Sequence, residues 1–292
     1  MWTSEHWQDY ALLDCGGGQR LERWGKQILV RPDPQAIWEK AGSPLWARAN
    51  AVYHRSKTGG GSWEIRDLPE HWTIRYEDLV FNIKPMSFKH TGVFPEQAAN
   101  WDFIRRQIRE AGRPVSVLNL FAYTGGATIA AASAGASVCH VDAARGMVTW
   151  ARENARSSGL ENAPIRYIVD DCKKFIKREI TRGRKYDAII MDPPSYGRGP
   201  NGEVWRFEES IGEFVSLCAQ VLVVKVLSDQ PLFIIINSYT AGISPSVPAY
   251  ILGRTVTPLY GGRVEAAELG LLCQETGLLL PCGHASRWIG GK

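Results

Sequence analysis

The segment from Val117 to Thr128 places the strongest constraint on how this chain can fold. Its sequence is Val-Leu-Asn-Leu-Phe-Ala-Tyr-Thr-Gly-Gly-Ala-Thr, an apolar strand that leads into a glycine pair and then into a helix. Asp142, Asp171 and Asp192 follow at intervals of roughly one strand–helix unit. Parallel strands that each end in an acidic residue build a nucleoside-binding crevice at their carboxyl ends. The segment therefore predicts an α/β protein with a doubly wound parallel sheet.

Alternating strands and helices are predicted for most of the chain from residue 87 onward. The predicted strands are 115–120, 137–142, 165–169, 188–191 and 232–236. The predicted helices are 96–111, 126–134, 145–158, 171–182 and 208–227. Two further apolar segments, 268–273 and 285–289, are predicted as a closing hairpin, which brings the sheet to seven strands. Residues 87–292 are therefore expected to form the main domain.

The first 86 residues have a different texture. Seven of the eleven tryptophans lie in the first 72 residues, and glycine-rich turns interrupt the segment. A strand is predicted over 27–30, a short helix over 34–46, and two strands over 73–83 around a turn at Glu77-Asp78. We expect residues 1–86 to be a small α+β module. Its tryptophans are better explained by an aromatic core than by stacking on bases.

Composition sets the broad class of the protein. The chain has 292 residues, 45% of them hydrophobic, which excludes global disorder. A net charge of +4 is compatible with nucleic acid without being diagnostic of it. Six cysteines without paired spacing predict reduced thiols in a cytoplasmic protein, and the histidines show no metal-ligand spacing. We expect no signal peptide, no membrane span and no metal, and the sequence does not indicate an oligomeric state.

The glycine turn and the first two aspartates predict a nucleoside site. Gly125 and Gly126 allow a ligand to approach the backbone, and the helix that follows offers free N–H groups. Asp142 is placed to accept two ribose hydroxyls, and Asp171 to accept from an adenine amino group. A nicotinamide dehydrogenase would use the turn and the first aspartate equally well, although the G-x-G-x-x-G spacing is absent. Phe121 is as easily explained by packing as by ligand contact, and so is Tyr123.

Four motifs resemble those of S-adenosylmethionine-dependent methyltransferases related to the bacterial large-subunit rRNA methyltransferases. Asn119-Leu-Phe-Ala-Tyr-Thr-Gly-Gly126 is similar to the family's cofactor motif. Lys89-His-Thr-Gly-Val-Phe-Pro-Glu-Gln97 resembles its K-T-G-F-F-x-D-Q segment, with an inserted His and a Glu in place of Asp. Val169-Asp-Asp-Cys172 and Met191-Asp-Pro-Pro194 match the next two signatures. The resemblance covers residues 64–292 and implies a class I methyltransferase fold that binds S-adenosyl-L-methionine.

The resemblance also implies which residues contact this cofactor. Phe94 and Gln97 would lie near its methionine end, and Asn119 and Gly125 would line its amino-acid portion. Asp142 would hold the ribose and Asp171 the adenine. The other residues assigned to the cofactor are Phe121, Tyr123, Ala143, Cys172 and Asp192.

The turn Asp192-Pro193-Pro194 suits an amine acceptor. Its carboxylate and carbonyls can accept hydrogen bonds from an exocyclic N–H, and prolines fix φ and remove competing donors. In amino-methyltransferases an aromatic residue follows the second proline. Here Ser195 stands there and Tyr196 comes one position later, so Tyr196 is a catalytic candidate for stacking a base. Arg198 and Trp205 are candidates for substrate contact, with loop packing as the alternative.

A pyrimidine-carbon target would need a different residue. Methylation at C5 requires a covalent nucleophile, which is normally a cysteine. Relatives that make 5-methylcytosine place it after the fifth strand, where this chain has Asn237-Ser238-Tyr239. We therefore predict that no cysteine acts as a nucleophile.

The predicted function is methyl transfer to a base nitrogen of RNA, with ribosomal RNA as the expected substrate. The acceptor rests on the resemblance, and the separate RNA-binding PUA domain of such relatives is not expected here. One alternative is a methyltransferase that acts on a protein or a small molecule. Another is a non-catalytic module that binds S-adenosylmethionine or RNA. The basic segment 173–178 is more simply a solvated helix face than a phosphate track.

Overall fold

The computed structural model describes residues 1–56, 60–198, 204–223 and 230–291. The strands of its main sheet are β8 (Ser116–Leu120), β9 (Ser137–Asp142), β10 (Ile165–Val169), β11 (Ala188–Met191), β14 (Phe233–Ser238), β15 (Arg263–Leu272) and β16 (Leu279–Ile289). The other strands are β1 (Tyr10–Gly16), β2 (Gln19–Trp24), β3 (Gln27–Pro32), β4 (Ala51–Arg55), β5 (Gly61–Ile65), β6 (Trp72–Tyr76), β7 (Leu79–Ile83), β12 (Tyr196–Arg198) and β13 (Val204–Arg206). The α-helices are α1 (Ala98–Glu110), α2 (Gly126–Ser133), α3 (Arg145–Ser157), α4 (Cys172–Thr181), α5 (Phe207–Ala219), α6 (Ser246–Thr255) and α7 (Thr257–Tyr260).

The main sheet has the order β10-β9-β8-β11-β14-β16-β15 within the described chain. The first five of these strands are parallel, and β16 runs antiparallel to both β14 and β15. Every residue of β11 and β14 is buried, because helices cover both faces of the sheet at its centre. The predicted doubly wound sheet of seven strands with a final antiparallel hairpin is confirmed.

The helices between these strands begin and end close to the predicted positions. The predicted helix over 208–227 corresponds to α5 but is too long, because α5 ends at Ala219 and residues 220–223 are not helical; residues 224–227 lie outside the described residues. No prediction covered α6, which contains Pro248 and Gly253 and begins directly after Pro245. Its sequence is a poor helix former, and the helix depends on tertiary packing of Leu252 against the core. Within the described residues, no helix combines the length and apolarity needed to cross a membrane.

The N-terminal residues form a five-stranded sheet of order β1-β2-β3-β4-β5 and the separate hairpin β6–β7. The predicted hairpin over 73–83 is present, but the predicted helix over 34–46 is wrong. Instead, a loop leads to a short 3-10 helix, Pro44–Arg48. The Asp14 carboxylate fixes this loop because it accepts hydrogen bonds from the backbone N–H of Ala41 and Ser43 and from Trp46 Nε1. These bonds satisfy the backbone without a helix.

The N-terminal sheet packs against the main domain through a shared hydrophobic core. Tyr10, Trp24 and Leu29 belong to the same buried cluster as Ile129 on α2 and Leu271 on β15. The two ends of the described chain also pair directly. The Trp2 N–H donates to the Glu268 carbonyl over 2.8 Å, and the Gly270 N–H donates to the Trp2 carbonyl over 3.0 Å. The division at residue 86 stays a prediction.

The inward face of the N-terminal sheet carries a buried charge cluster of Arg20, Glu22 and Arg31. Arg31 Nε and Nη2 donate to the two Glu22 carboxylate oxygens over 2.6 and 2.8 Å, and the Tyr10 hydroxyl donates to the same carboxylate. Burial by itself would raise the pKa of Glu22, but Arg20 and Arg31 together lower it to about 2. The carboxylate therefore stays ionised and compensates two buried guanidinium groups.

We predict that Glu22→Gln destabilises the protein by about 3–5 kcal/mol, since Arg31 would then lose its buried counter-charge and Arg20 the nearer of its two. Urea unfolding at neutral pH measures the free energy of unfolding. Glu64→Gln on β5 is the control, because this exposed carboxylate pairs only with exposed partners and its loss should leave the midpoint close to wild type. Equal midpoints for the two variants would contradict the prediction.

Candidate functional site

A cleft of about 1220 Å³ opens at the carboxyl ends of the parallel strands. The main sheet forms its floor, and residues of the N-terminal sheet form one wall. Most of the residues singled out in the sequence line this cleft: Phe94, Phe121, Tyr123, Asp142, Ala143, Asp171, Asp192, Pro193, Pro194, Arg198 and Trp205. The carboxyl ends of parallel strands bring them together although they are distant in sequence.

The turn between β8 and α2 has an unusual backbone. Phe121, Tyr123 and Gly125 have φ values of 53°, 50° and 83°, all in the left-handed region. A Cβ at Gly125 would lie 2.9 Å from the Cβ of Ala151 on α3, so this position requires glycine for both conformation and space. Left-handed non-glycine residues persist only where their surroundings hold them, and they are frequent at ligand sites.

Asp142 at the end of β9 is held in a fixed orientation. Its Oδ2 accepts the Tyr123 N–H over 2.8 Å, and its Oδ1 accepts the Ala144 N–H over 2.8 Å. Burial raises the pKa of this carboxyl, and the two backbone hydrogen bonds act in the opposite direction. Each oxygen retains a further lone pair, so the carboxylate can still accept bonds from two ligand hydroxyls.

Asp171 and Cys172 lie at the start of α4. The Asp171 carboxylate caps the helix by accepting the Lys174 N–H over 2.8 Å, and Asp171 also lines the cleft. The Cys172 thiol lies below the cleft surface, where it accepts the Phe121 N–H over 3.3 Å. Cys172 therefore supports the left-handed turn from beneath. Neither Cys172 nor Gly125 lines the cleft.

Asp192 follows β11 at the centre of the cleft. Burial and then the neighbouring Glu96 carboxyl raise the pKa of Asp192 to about 7. Glu96 itself is buried, with no hydrogen-bond partner for its Oε2 among the described residues, and burial raises its pKa as well. The two carboxyls form an electrostatically coupled pair whose charge changes near neutral pH.

Hydrogen bonds from neighbouring residues fix the Pro193-Pro194 turn and Ser195 after it. Trp205 Nε1 donates to the Pro194 carbonyl over 2.7 Å, and the Thr240 hydroxyl donates to Ser195 Oγ over 2.9 Å. The Trp205 ring lies 5.1 Å from the Phe121 ring and extends the aromatic wall. Tyr196 lies outside the lining, is 51% exposed, and accepts a hydrogen bond from Arg198 Nε.

Gln97 and Asn119 line a small cavity of about 50 Å³ beside the main cleft. The Gln97 side chain donates to the Tyr239 hydroxyl over 2.8 Å, and Asn119 donates to the Thr128 hydroxyl over 2.9 Å. Asp192 and Asn237 line the same cavity. Gln97 and Asn119 therefore lie beside the left-handed turn, whose residues 121–124 line the same cavity.

Several cleft residues were not anticipated from the sequence. They come from the N-terminal residues, from the segment before α1 and from the region of β14 and β16. They are Arg20, Asp33, Tyr53, Arg55, Glu96, Tyr239, Cys282 and His284. The glutamate stands inside a recognised motif, which was a usable signal. The N-terminal residues belong to no motif, and only the packing of the two sheets brings them to the cleft.

Comparison with known proteins identifies the family of this arrangement. A family model described as S-adenosylmethionine-dependent methyltransferase matches residues 33–207. The crystal structure of the SAM-dependent methyltransferase from Agrobacterium tumefaciens superimposes with a TM-score of 0.91 at 36% identity, covering 98% of this chain and 92% of that one. A putative methyltransferase complexed with SAH has the same fold, with a TM-score of 0.69 at 17% identity, covering 98% of this chain and 76% of that one.

Curated relatives are similar over part of their length. The ribosomal RNA large subunit methyltransferase K/L of Chromohalobacter salexigens is 31% identical over 147 residues, which is 50% of this chain and 18% of that protein. The chain spans less than a quarter of the length of the curated relatives it matches.

We predict that the Asp192 carboxyl titrates near pH 7 and that Glu96→Gln lowers this midpoint, because a neighbouring negative charge is removed. Carbon-13 NMR of aspartate-labelled protein measures the titration, with Asp192→Asn to assign the signal. Glu208→Gln, at the exposed start of α5, is the control and should leave the midpoint unchanged. A midpoint near the ordinary value of 3.8 would refute the proposed burial and coupling.

Proposed function

Because this chain belongs to the family of S-adenosylmethionine-dependent methyltransferases, we propose that it methylates a base nitrogen of RNA, with ribosomal RNA as the expected substrate. The observation that carries the proposal is the half-buried Asp192 carboxyl beside a rigid Pro-Pro turn in a cleft with aromatic and basic walls. The relatives named as ribosomal RNA methyltransferases support RNA as the acceptor.

The residues present fit the cofactor of this family. S-adenosylmethionine, when bound, supplies an electrophilic methyl group on a sulfonium. We assign the ribose hydroxyls to the Asp142 carboxylate, whose orientation two backbone N–H groups fix. Asp171 and Ala143 would contact the adenosine, and Phe121 and Tyr123 would line its path toward Asp192. Phe94, Gln97, Asn119 and Gly125 would shape the amino-acid end.

Asp192 would orient the acceptor amine. An ionised carboxylate accepts a hydrogen bond from an exocyclic N–H and so directs the nitrogen lone pair toward the methyl group. A pKa of about 7 leaves the group charged above neutral pH, so turnover should rise as the pH increases through this value. Pro193 and Pro194 keep the backbone rigid and present no N–H donor that would compete.

Aromatic side chains near this turn would hold the acceptor base. Trp205 lines the cleft beside Phe121, and its indole nitrogen is already bonded to Pro194, so the ring face is fixed in place. Stacking on an aromatic ring contributes about 1–3 kcal/mol per base. Arg198 lies on the same side, and Tyr196 would contact the substrate only at the rim.

A cysteine nucleophile is not part of the proposal. Asn237-Ser238-Tyr239 stands where related 5-methylcytosine enzymes carry the stretch with their cysteine, and Asn237 Oδ1 accepts a hydrogen bond from Asn100. Cys282 lines the cleft, but burial, followed by the nearby Glu96, raises the pKa of its thiol well above the usual value. A thiol held in this form is a poor nucleophile.

We predict that Asp142→Asn and Asp192→Asn separate binding from turnover. Asp142→Asn should weaken S-adenosylhomocysteine binding by about 10- to 100-fold, because charge-assisted hydrogen bonds are lost. Asp192→Asn should reduce methyl transfer to RNA by about 100-fold or more while cofactor affinity stays within a few-fold. Calorimetry measures the affinity, and transfer of a radioactive methyl group to total cellular RNA measures turnover.

Each variant controls for the other, since both replace an aspartate at the end of a parallel strand. Unchanged affinity in Asp142→Asn would show that the ribose lies elsewhere. A large loss of affinity in Asp192→Asn would place Asp192 in the cofactor site. Label that appears in protein instead of RNA would favour the alternative acceptor, and the absence of any transfer would favour a binding module.

We also predict that Cys282→Ser retains methyl transfer within a few-fold, because no covalent bond to the substrate is formed. Cys218→Ser, buried below the sheet and away from the cleft lining, is the matched control. Analysis of the modified nucleosides identifies the product. Formation of 5-methylcytosine that is lost only in Cys282→Ser would disprove the mechanism.

A further inference from the structure

Two arginines of the N-terminal sheet lie side by side but differ in their partners. Arg20 on β2 is directly opposite Arg31 on β3 in the antiparallel pairing. Arg31 is fully engaged: it binds both oxygens of Glu22, and its Nη1 donates to the Lys89 carbonyl over 3.2 Å. The Glu22 carboxylate also accepts from the Tyr10 hydroxyl. The Glu22 carboxylate therefore has little hydrogen-bonding capacity left for Arg20.

Arg20 is therefore a buried cation with open donor positions. It is only 6% exposed, and its closest carboxylate oxygens lie 3.5 Å away on Glu22 and 3.8 Å away on Asp33. Its Nε has no hydrogen-bond partner among the described residues. A buried cation whose donors lack acceptors is costly, and an anion that supplies acceptors offsets this cost. The Nε atom is enclosed by the protein, so a ligand in the cleft would bind at the Nη end of the guanidinium, where Nη1 lies 3.8 Å from Asp33 Oδ2, longer than a hydrogen bond.

The surroundings of Arg20 favour an anion. Lys89 lines the cleft nearby, and its pKa is lowered, first by burial and then by Arg20 and Arg31. Glu96 faces the same cations, yet burial raises its pKa, which reduces the negative charge available there. Arg20, Arg31 and Lys89 thus share a region whose nearby carboxyls are Glu22, Asp33 and Glu96, and a bound anion would relieve the repulsion among the three cations.

The sheet order places this region on the acceptor side of the cleft. Asp142 is on β9 and Asp192 follows β11, whereas Cys282 and His284 are on β16 beyond β14. Strand β1, the neighbour of β2, bridges through Leu12 to Cys273 beside β15, so Arg20 on β2 lies on the β16–β15 side of Asp192. An anion at Arg20 is consequently on the opposite side of Asp192 from the carboxylate assigned to the ribose.

We infer that Arg20 is a substrate-binding residue that takes a phosphate of the acceptor RNA, so that the N-terminal sheet forms the acceptor wall of the cleft. The planar guanidinium presents a fork of N–H donors that matches two phosphate oxygens, which a lysine cannot reproduce. The inference rests on the proposed function, since it requires an RNA acceptor.

The test compares Arg20→Gln and Arg20→Lys with wild type. Binding of a fluorescein-labelled single-stranded RNA of mixed sequence is measured by anisotropy between about 50 and 200 mM salt. Calorimetry with S-adenosylhomocysteine reports the cofactor site and confirms folding. Arg23→Gln is the matched control, because Arg23 is on the same strand but bonds to the backbone carbonyls of Gln8 and Gly25 outside the cleft lining.

We expect Arg20→Gln to weaken RNA binding by about 10- to 100-fold and to reduce the salt slope by about 0.7, with cofactor affinity unchanged. If Arg20→Gln does not fold, Arg20→Lys should still weaken RNA binding several-fold because it loses the fork. Unchanged RNA affinity in the folded variants overturns the inference and leaves the proposed function intact. Loss of cofactor affinity instead assigns Arg20 to the cofactor carboxylate and also overturns it. Wild type that does not bind RNA removes the proposed function together with the inference.

Discussion

The left-handed turn between β8 and α2 is the constraint on which the site depends. Its backbone is held by side chains from separate parts of the fold: Asp142 and Cys172 accept its N–H groups, and Asn154 on α3 donates to the Thr124 carbonyl over 2.8 Å. The Thr124 hydroxyl donates to the Gly92 carbonyl, which connects the turn to the segment before α1. A conformation that non-glycine residues disfavour is thereby maintained by the folded structure as a whole.

This arrangement gives Asp142 two tasks at once. The same carboxylate that fixes the Tyr123 N–H faces the cleft where the nucleoside is expected. Cofactor binding and the shape of the turn are therefore coupled through one side chain. A substitution at Asp142 changes the turn as well as the ligand contact, which is why Asp192→Asn is the necessary companion variant.

The parallel part of the fold was predictable because its strands are continuous apolar runs that end at polar residues. β11 and β14 are buried on both faces, so their sequences carry a strong local signal. The prediction of a helix over 34–46 was wrong because the conformation of this loop is determined by Asp14, which is distant in sequence. The wall that the N-terminal sheet contributes to the cleft could not be predicted from the sequence for a related reason. Arg20 is one residue of strand β2 and belongs to no motif, and it lines the cleft only because the N-terminal sheet packs onto the main domain.

The pairing of Trp2 with Glu268 and Gly270 has a consequence for how the molecule is assembled. Strand β1 also bridges to the last hairpin, since Leu12 pairs with Cys273. Contacts of such large sequence separation form late and slow folding, because a long loop must close first. During synthesis the contacts between the N-terminal sheet and the final hairpin therefore form only after this hairpin has emerged from the ribosome. The cleft gains its second wall only then, so an incomplete chain can form the parallel strands without presenting a finished site.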